Sequence, residues 1–403
     1  MKPVSRILLL AILTMLPLVA ASPSHAAKKM EVVVQDDGVF LYQSHYNRDQ
    51  AYRQLRSLSA SQLRMNVLWW QTMPGAQASA RKKPRRIRYD WSVWDGAIQR
   101  AKDFGIKVQL DLTGDPPVWA CGKKRRPLGN CDGFKPNAKA FGQFAQAAAK
   151  HFGRKVARYS IWNEPNWFTW LAPLKSAPLL YRRLYQAGYT GIKKGNRRAK
   201  VFMGELAPYA QKRRSMAPLQ FLREMVCVNR RLKKTRRAKR DCKGGALKLD
   251  GFAHHPYDFN VAPTKRRKGR DNVTMANLSA LPAMLDKMRA KRLLKPSVKK
   301  VPLYLTEHGY FVKTTRRIPE SKRRKYTVKA FDMAQRHPRV KQMLYYILVS
   351  PPADSASAFF DLGLIAQDGT ERGAFSALQS WIRKAARSGR VARPGRCRAG
   401  SSC

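Results

Sequence analysis

Short apolar runs of strand length recur along the chain at 32–34, 65–70, 106–112, 159–162, 201–206, 249–254, 301–306 and 343–348. Between them lie longer segments whose apolar residues return every three or four positions, at 49–58, 91–104, 138–152, 179–192, 219–228, 275–290 and 322–335, with a last one at 374–386. A short continuous apolar run predicts a buried strand, and a period near 3.6 predicts a helix that buries one stripe. Eight strand-then-helix units in succession predict an α/β protein closed as a (β/α)8 TIM barrel, whose strands all end on one rim. Such a barrel with long loops accounts for the chain without a second domain.

That rim draws attention to two glutamates. The fourth run passes through Tyr159-Ser160-Ile161-Trp162 into Asn163-Glu164-Pro165, and Pro165 bars a helix, so Asn163 and Glu164 fall where a strand gives way to a loop. The seventh run ends in Leu305-Thr306-Glu307-His308-Gly309. A carboxyl at such a position, close to aromatic rings, is poorly solvated, and desolvation raises its pKa toward what a general acid needs. The sixth run ends in His254-His255-Pro256-Tyr257. Glu205, Asp111 and Asp115 are rival carboxylates at the ends of runs five and three, read as support. Alternation turns His308 away from the rim interior, so it reads as structural.

On Asn163-Glu164-Pro165 ending a fourth strand and Glu307 ending a seventh, the chain resembles the clan A glycoside hydrolases, the (β/α)8 barrels that include families 5 and 39. The resemblance implies a retaining hydrolase that cleaves O-glycosyl bonds of a poly- or oligosaccharide by double displacement. Glu164 would be the acid/base, Glu307 the nucleophile, and Asn163 the residue that holds the sugar 2-hydroxyl. His255 and Tyr257 match a histidine-x-tyrosine pattern in which the tyrosine hydroxyl bonds the nucleophile. Trp119, Trp167 and Trp170 would line sugar subsites, since flat rings stack on the apolar C–H faces of sugars, whereas Trp162 reads as core. The segments 361–365 and 368–372 are similar to the turn after strand eight, which extends the resemblance over most of the chain. Three departures stand out: the strand-two region Asn66-Val67-Leu68-Trp69 lacks the arginine usual in family 5, the histidine expected after strand three is absent, and Tyr345 or Tyr346 replaces a tryptophan on strand eight, with Tyr345 taken as the site residue. The Asn-Glu-Pro-Asn and Pro-Pro-x-Trp stretches lean toward family 39. Members of the clan need no metal, so no cofactor is expected. Read without the resemblance, a buried pair with an arginine would also account for either glutamate, loop capping for Asn163, and core packing for Tyr257.

Lys2 and Arg6, the apolar stretch 7–21 and Ser24-His25-Ala26 read as a signal peptide over residues 1–26. A barrel domain over 27–387 and a loose Gly/Arg-rich tail over 388–403 then follow, with no later stretch fit to span a bilayer. Six cysteines suit an exported, oxidised protein. Spacing favours local bridges Cys121–Cys131, Cys227–Cys242 and Cys397–Cys403, although sequence alone leaves many pairings open. A zinc site is disfavoured, because no C-x-x-C pair with a neighbouring histidine supplies four ligands.

Charge changes the picture of partners. With 80 Lys and Arg against 25 Asp and Glu, the formal net charge is +55. Basic runs at 81–88, 123–126, 265–270 and 313–324 follow strands, while those at 230–240 and 289–300 precede them. Charge on both rims reads as a whole-surface property, which favours adhesion to an anionic cell envelope or matrix over an acidic substrate. No basic stripe or recognised module points to a specific nucleic acid. The alternative to a secreted hydrolase is a noncatalytic polyanion- or envelope-binding protein on the same scaffold.

Overall fold

The computed structural model describes residues 29–122, 131, 133–312 and 317–398. The signal-peptide reading, the basic run 123–126, part of the run 313–324 and Cys403 lie outside these residues. Eight parallel strands close a barrel: β1 (Glu31–Gln35), β2 (Gln62–Leu68), β3 (Lys107–Thr113), β4 (Arg158–Ile161), β5 (Lys200–Leu206), β6 (Gly251–His254), β7 (Leu303–Leu305) and β8 (Val340–Tyr346). Each pairs with the next, and β8 returns to β1 through a register that sets Val33 against Leu344. Helices Arg48–Ser57, Ser92–Asp103, Ala138–Phe152, Ala177–Gly195, Pro218–Met225, Ala280–Ala290, Glu320–Arg336 and Gly373–Arg387 follow the strands in turn. The sixth apolar run is split: Leu247–Leu249 pairs outside the barrel with Leu294–Pro296, and only Gly251–His254 joins the wall.

Side-chain alternation divides each strand between two layers. On β2, Leu63, Met65 and Val67 join the core between barrel and helices, whereas Gln62 and Arg64 turn inward and are fully or almost fully buried. The Gln62 amide donates to Gln109 on β3 at 3.3 Å, and Arg158 on β4 pairs with Glu31 on β1 at 2.9 Å. This interior is polar where such barrels more often carry branched aliphatics. Polar inward positions explain why strand two begins three residues before the apolar run at 65–70; the run's last two residues open a 3-10 turn, Trp69–Thr72.

The tail departs from the expectation of looseness. Met30 N–H donates to Arg390 O at 2.9 Å, Ala392 N–H to Met30 O at 3.0 Å, and Gly395 N–H to Gly105 O at 2.8 Å. The described part of the tail therefore laces across the N-terminal end of the barrel. Gly105 permits this approach: its φ is +65°, and a Cβ there would meet Gly395 O at 2.5 Å. The bridges Cys121–Cys131 and Cys227–Cys242 form as their spacing favoured, with Cα separations of 5.9 and 6.1 Å. Among the described residues no helix is long and apolar enough to cross a membrane.

Candidate active site

The C-terminal rim carries backbone that few side chains tolerate. Trp162 (φ 68°), Glu164 (φ 35°) and Glu205 (φ 50°) all adopt left-handed conformations just beyond or at the ends of β4 and β5. Each costs on the order of 1–3 kcal/mol and persists only where the surroundings over-determine it. At β4 they do: Trp162 N–H donates to Leu112 O at 2.8 Å, its indole N–H donates to Trp170 O at 2.9 Å, and Asn163 N–H donates to Thr113 Oγ1 at 2.8 Å. The effect is to aim Asn163 and Glu164 at the barrel axis.

Arg64 stands at the centre of that axis. Its guanidinium reaches Glu307 Oε1 at 2.9 Å, Asp111 Oδ2 and Glu205 Oε2 at 3.3 Å each, and Asn163 Oδ1 at 3.1 Å, and it also bonds Gln35. His255 is the second cation position. Its Nδ1 lies 2.9 Å from Glu164 Oε1 and 3.5 Å from Glu307 Oε2, and its Nε2 lies 2.7 Å from Glu205 Oε2. Tyr257 donates its hydroxyl to Glu307 Oε2 at 3.0 Å, and Thr306 donates to Glu205 Oε2 at 2.5 Å. One carboxylate oxygen of Glu164, one of Glu307 and a ring nitrogen of His255 all lie within 4.8 Å of one another. The side chain of Glu307 is 10 % exposed and that of Glu164 17 %, so both reach the surface of the rim, while Arg64, His255 and Glu205 have no exposed side-chain surface.

Burial and charge pull these groups apart. Burial raises the Glu307 carboxyl, with His255 and Arg64 pulling it back and Glu164 adding to the rise. For Glu205 burial is outweighed by Arg64 and by the bond from His255, and its pKa is held down at about 2. Asp111, the same distance from Arg64, has Ser160 as its one further donor among the described residues, and burial raises it to about 7. Burial disfavours charge on His255, yet Glu307, Glu164 and Glu205 around it raise its pKa to about 10. Arg64 is likewise desolvated but raised by Glu205, Asp111 and Glu307. By donor type alone, Glu164, His255 and Glu307 match a metal triad. Both His255 nitrogens are committed to carboxylates, however, and Arg64 covers Glu307 Oε1, so the set does not suit a cation.

The sequence-derived residues sort as follows. Glu164, Glu307, Asn163, His255 and Tyr257 converge; Glu205 and Asp111 sit beneath them, bound to Arg64 as supports. Trp167 and Trp170 are half-buried on the loop after β4. Trp119 is half-buried too, but its indole donates to Gln77 O at 3.1 Å, it meets Trp69 edge-on, and the Lys83 ammonium lies 5.8 Å from the ring, so it is held in packing. Tyr345 is a correction: it turns to the helix layer and donates to Leu362 O at 3.0 Å. Its neighbour Tyr346 takes the opposite face, beside Phe360 and in the field of Glu307. Alternation along β8 decides this, since a shift of one residue exchanges faces. Arg64 is the second correction: the arginine sought at 66–69 is present two residues earlier, and the strict alternation Gln62-Leu63-Arg64-Met65 was the signal for it. Asp37 was missed entirely. It lies just past β1, accepts from Gln35 at 3.1 Å, and is raised to about 7 by burial against the pull of Arg64.

No family model matches the sequence, and no curated protein matches it. Solved structures do. The chain is similar to a family 39 glycoside hydrolase from the gut symbiont Bacteroides cellulosilyticus WH2, with a TM-score of 0.61 and 16% identity over 88% of this chain, and it spans only 64% of that protein's length. A GH39 β-xylosidase from Caulobacter crescentus superposes with a TM-score of 0.56 at 16% identity, covering 89% of this chain and 72% of the other. A family 1 β-glucosidase from Thermotoga maritima gives 0.58 at 12% identity, covering 89% and 99%. At these identities the likeness shows the fold: the chain has the closed barrel that clan A glycoside hydrolases use.

Proposed function

We propose that this protein is a retaining O-glycoside hydrolase acting on a poly- or oligosaccharide, with Glu307 as nucleophile and Glu164 as acid/base. The observation that carries the reading is the approach of the two carboxylates to within 4.8 Å, each with part of its side chain exposed at the rim. Double displacement needs a separation of about 5–5.5 Å, whereas inversion needs about 6.5–9.5 Å to admit a water. Glu307 attacks the anomeric carbon and forms a glycosyl ester while the aglycone oxygen takes a proton from Glu164. Glu164 then deprotonates a water that attacks the same carbon, and Glu307 is released with retention. Arg64 and Tyr257 aim Glu307 through their bonds to its two oxygens, and His255 and Arg64 oppose the rise that burial imposes on its carboxyl. Arg64 also occupies Asn163 Oδ1, which leaves the amide NH2 to meet a sugar hydroxyl. Trp167, Trp170 and Tyr346 are the ring surfaces available to flank the sugar.

The leader-like start and the cystine bridges support export, and the charge of +55 supports electrostatic adhesion to an anionic envelope. A panel of aryl glycosides and polysaccharides tests the chemistry with wild type, Glu307→Ala and Glu164→Gln. Hydrolysis is expected in wild type with retained configuration, lost in Glu307→Ala, and partly spared for activated aryl groups in Glu164→Gln. Turnover that survives in Glu307→Ala contradicts the reading. A protein that binds anionic polymer but hydrolyses nothing in the panel would instead support the noncatalytic alternative.

A further inference from the structure

Double displacement needs a proton on the acid/base in its first step and a free carboxylate in its second. Here Glu164 does not face solvent alone. It shares a 2.9 Å contact with His255 Nδ1, whose other nitrogen is fixed 2.7 Å from Glu205. Glu205 has no exposed side-chain surface, and it accepts from Thr306 and pairs with Arg64, so it cannot swing away from the imidazole. We propose that His255 is the proton store for Glu164, and that Glu205 is the positioning residue that keeps the store loaded and fixes which nitrogen empties. The inference rests on the hydrolase reading for its chemistry but not for its geometry.

Protons balance over the cycle. In the resting site His255 is an imidazolium, with Nδ1–H toward Glu164 and Nε2–H toward Glu205. As Glu307 bonds to the anomeric carbon and the bond to the aglycone oxygen breaks, that oxygen takes the Glu164 proton, and the Nδ1 proton of His255 is the one that supplied it. His255 is left neutral as the Nε2–H tautomer that the Glu205 carboxylate requires. Ester formation drives this transfer, because it removes the charge of Glu307, 3.5 Å from Nδ1 and the largest of the charges that favour the imidazolium. In the second step Glu164 takes a proton from the attacking water and returns it to Nδ1 as the ester bond breaks and Glu307 regains its charge. The net change is one water consumed and one glycosidic bond cleaved.

The groups that face His255 set its titration: Glu164 beyond β4, Glu205 on β5, Glu307 beyond β7, Asp111 on β3, the adjacent His254 and the edge-on ring of Tyr257, with Arg64 on β2 acting through its pairs with Glu205 and Glu307. Three carboxylates in contact outweigh the cations, which is why the imidazolium is favoured despite burial.

Two measurements test this. The first needs no substrate: nitrogen-15 chemical shifts of the histidine rings in the intact wild-type protein. His255 is expected doubly protonated at pH 7, and in Glu205→Gln it is expected to lose Nδ1–H at least about one pH unit earlier. A neutral His255 at pH 7 in wild type overturns the proposal, whatever the protein hydrolyses. The second compares pH profiles of kcat/KM for a poor leaving group and for an activated aryl group. In Glu205→Gln the basic limb for the poor leaving group is expected to move down by at least about one unit, while the profile for the activated substrate, which needs no proton, keeps the shape it has in wild type, whatever its height. Equal losses on both substrates with an unmoved limb would assign Glu205 a purely structural role. Failure of Glu307→Ala to abolish turnover would instead strike the hydrolase reading, so the two failures are distinguishable.

Discussion

Inside the barrel, Asp37, Asp111, Glu164, Glu205 and Glu307 gather around two cations, Arg64 and His255; on the rest of the chain lysine and arginine outnumber acids more than threefold, 80 against 25 overall. The interior is anionic in composition and the exterior strongly cationic. Both are dense in charge, but the physics differs. In the chamber, charges lie 2.7–3.5 Å apart among mostly buried side chains, so each sets the protonation of the next. On the surface they are screened over about 8 Å at physiological salt, and single pairs there contribute about 0–1 kcal/mol. One region encodes chemistry by geometry; the other encodes a field that depends on little beyond its total charge.

Substitutions should therefore divide sharply between the two. The largest effect is expected from Glu307→Ala, with a fall in kcat/KM of about 10⁴-fold or more and little loss of stability. Arg64→Met comes next: it leaves Asp111, Glu205 and Glu307 buried without their shared cation, and denaturant titration should show a loss of about 3–5 kcal/mol. If Arg64→Met unfolds no more easily than wild type, the chamber is not the electrostatic unit described here. Tyr345→Phe should cost only the bond to Leu362, about 1 kcal/mol, and leave kcat/KM unchanged, whereas Tyr346→Ala should lower it. At the small end, Arg197→Gln with Arg198→Gln, both exposed, should change stability by less than about 0.5 kcal/mol. Retention on an anionic polymer should fall steeply with added salt, while hydrolysis of a small neutral glycoside should not.

The pH dependence separates the regions as well. His255 has its folded pKa raised from 6.5 to about 10, so its contribution to stability is complete below about pH 6.5 and is lost as pH rises toward 10. Melting temperature should therefore decline between pH 7 and pH 9, a range in which most surface lysines and arginines stay charged, and the decline should weaken in Glu205→Gln.

Much of this was legible in the chain. Eight apolar runs and their partner helices marked the wall, and Pro165 and the Glu307-His308-Gly309 turn marked where two carboxylates leave it. What escaped were residues whose role depends on facing a polar interior. Arg64 was hidden because strand two was sought in its apolar run, while the strand opens with inward Gln62 and Arg64. Tyr345 and Tyr346 were exchanged because adjacent tyrosines offer no hydrophobic contrast to fix the parity of β8. The tail read as loose from its glycines and arginines, yet backbone bonding to Met30 and Gly105, which composition does not report, ties it down.

The most direct measurement is the identity of the residue that becomes glycosylated. Incubated with a series of 2-deoxy-2-fluoroglycosyl fluorides, which form the ester quickly and hydrolyse it slowly, the protein should gain the mass of one sugar. Peptide mapping should find that sugar on Glu307, and Glu307→Ala should gain nothing. A sugar found on any other carboxylate, or no adduct from the fluoride of a sugar the enzyme turns over, would contradict the account.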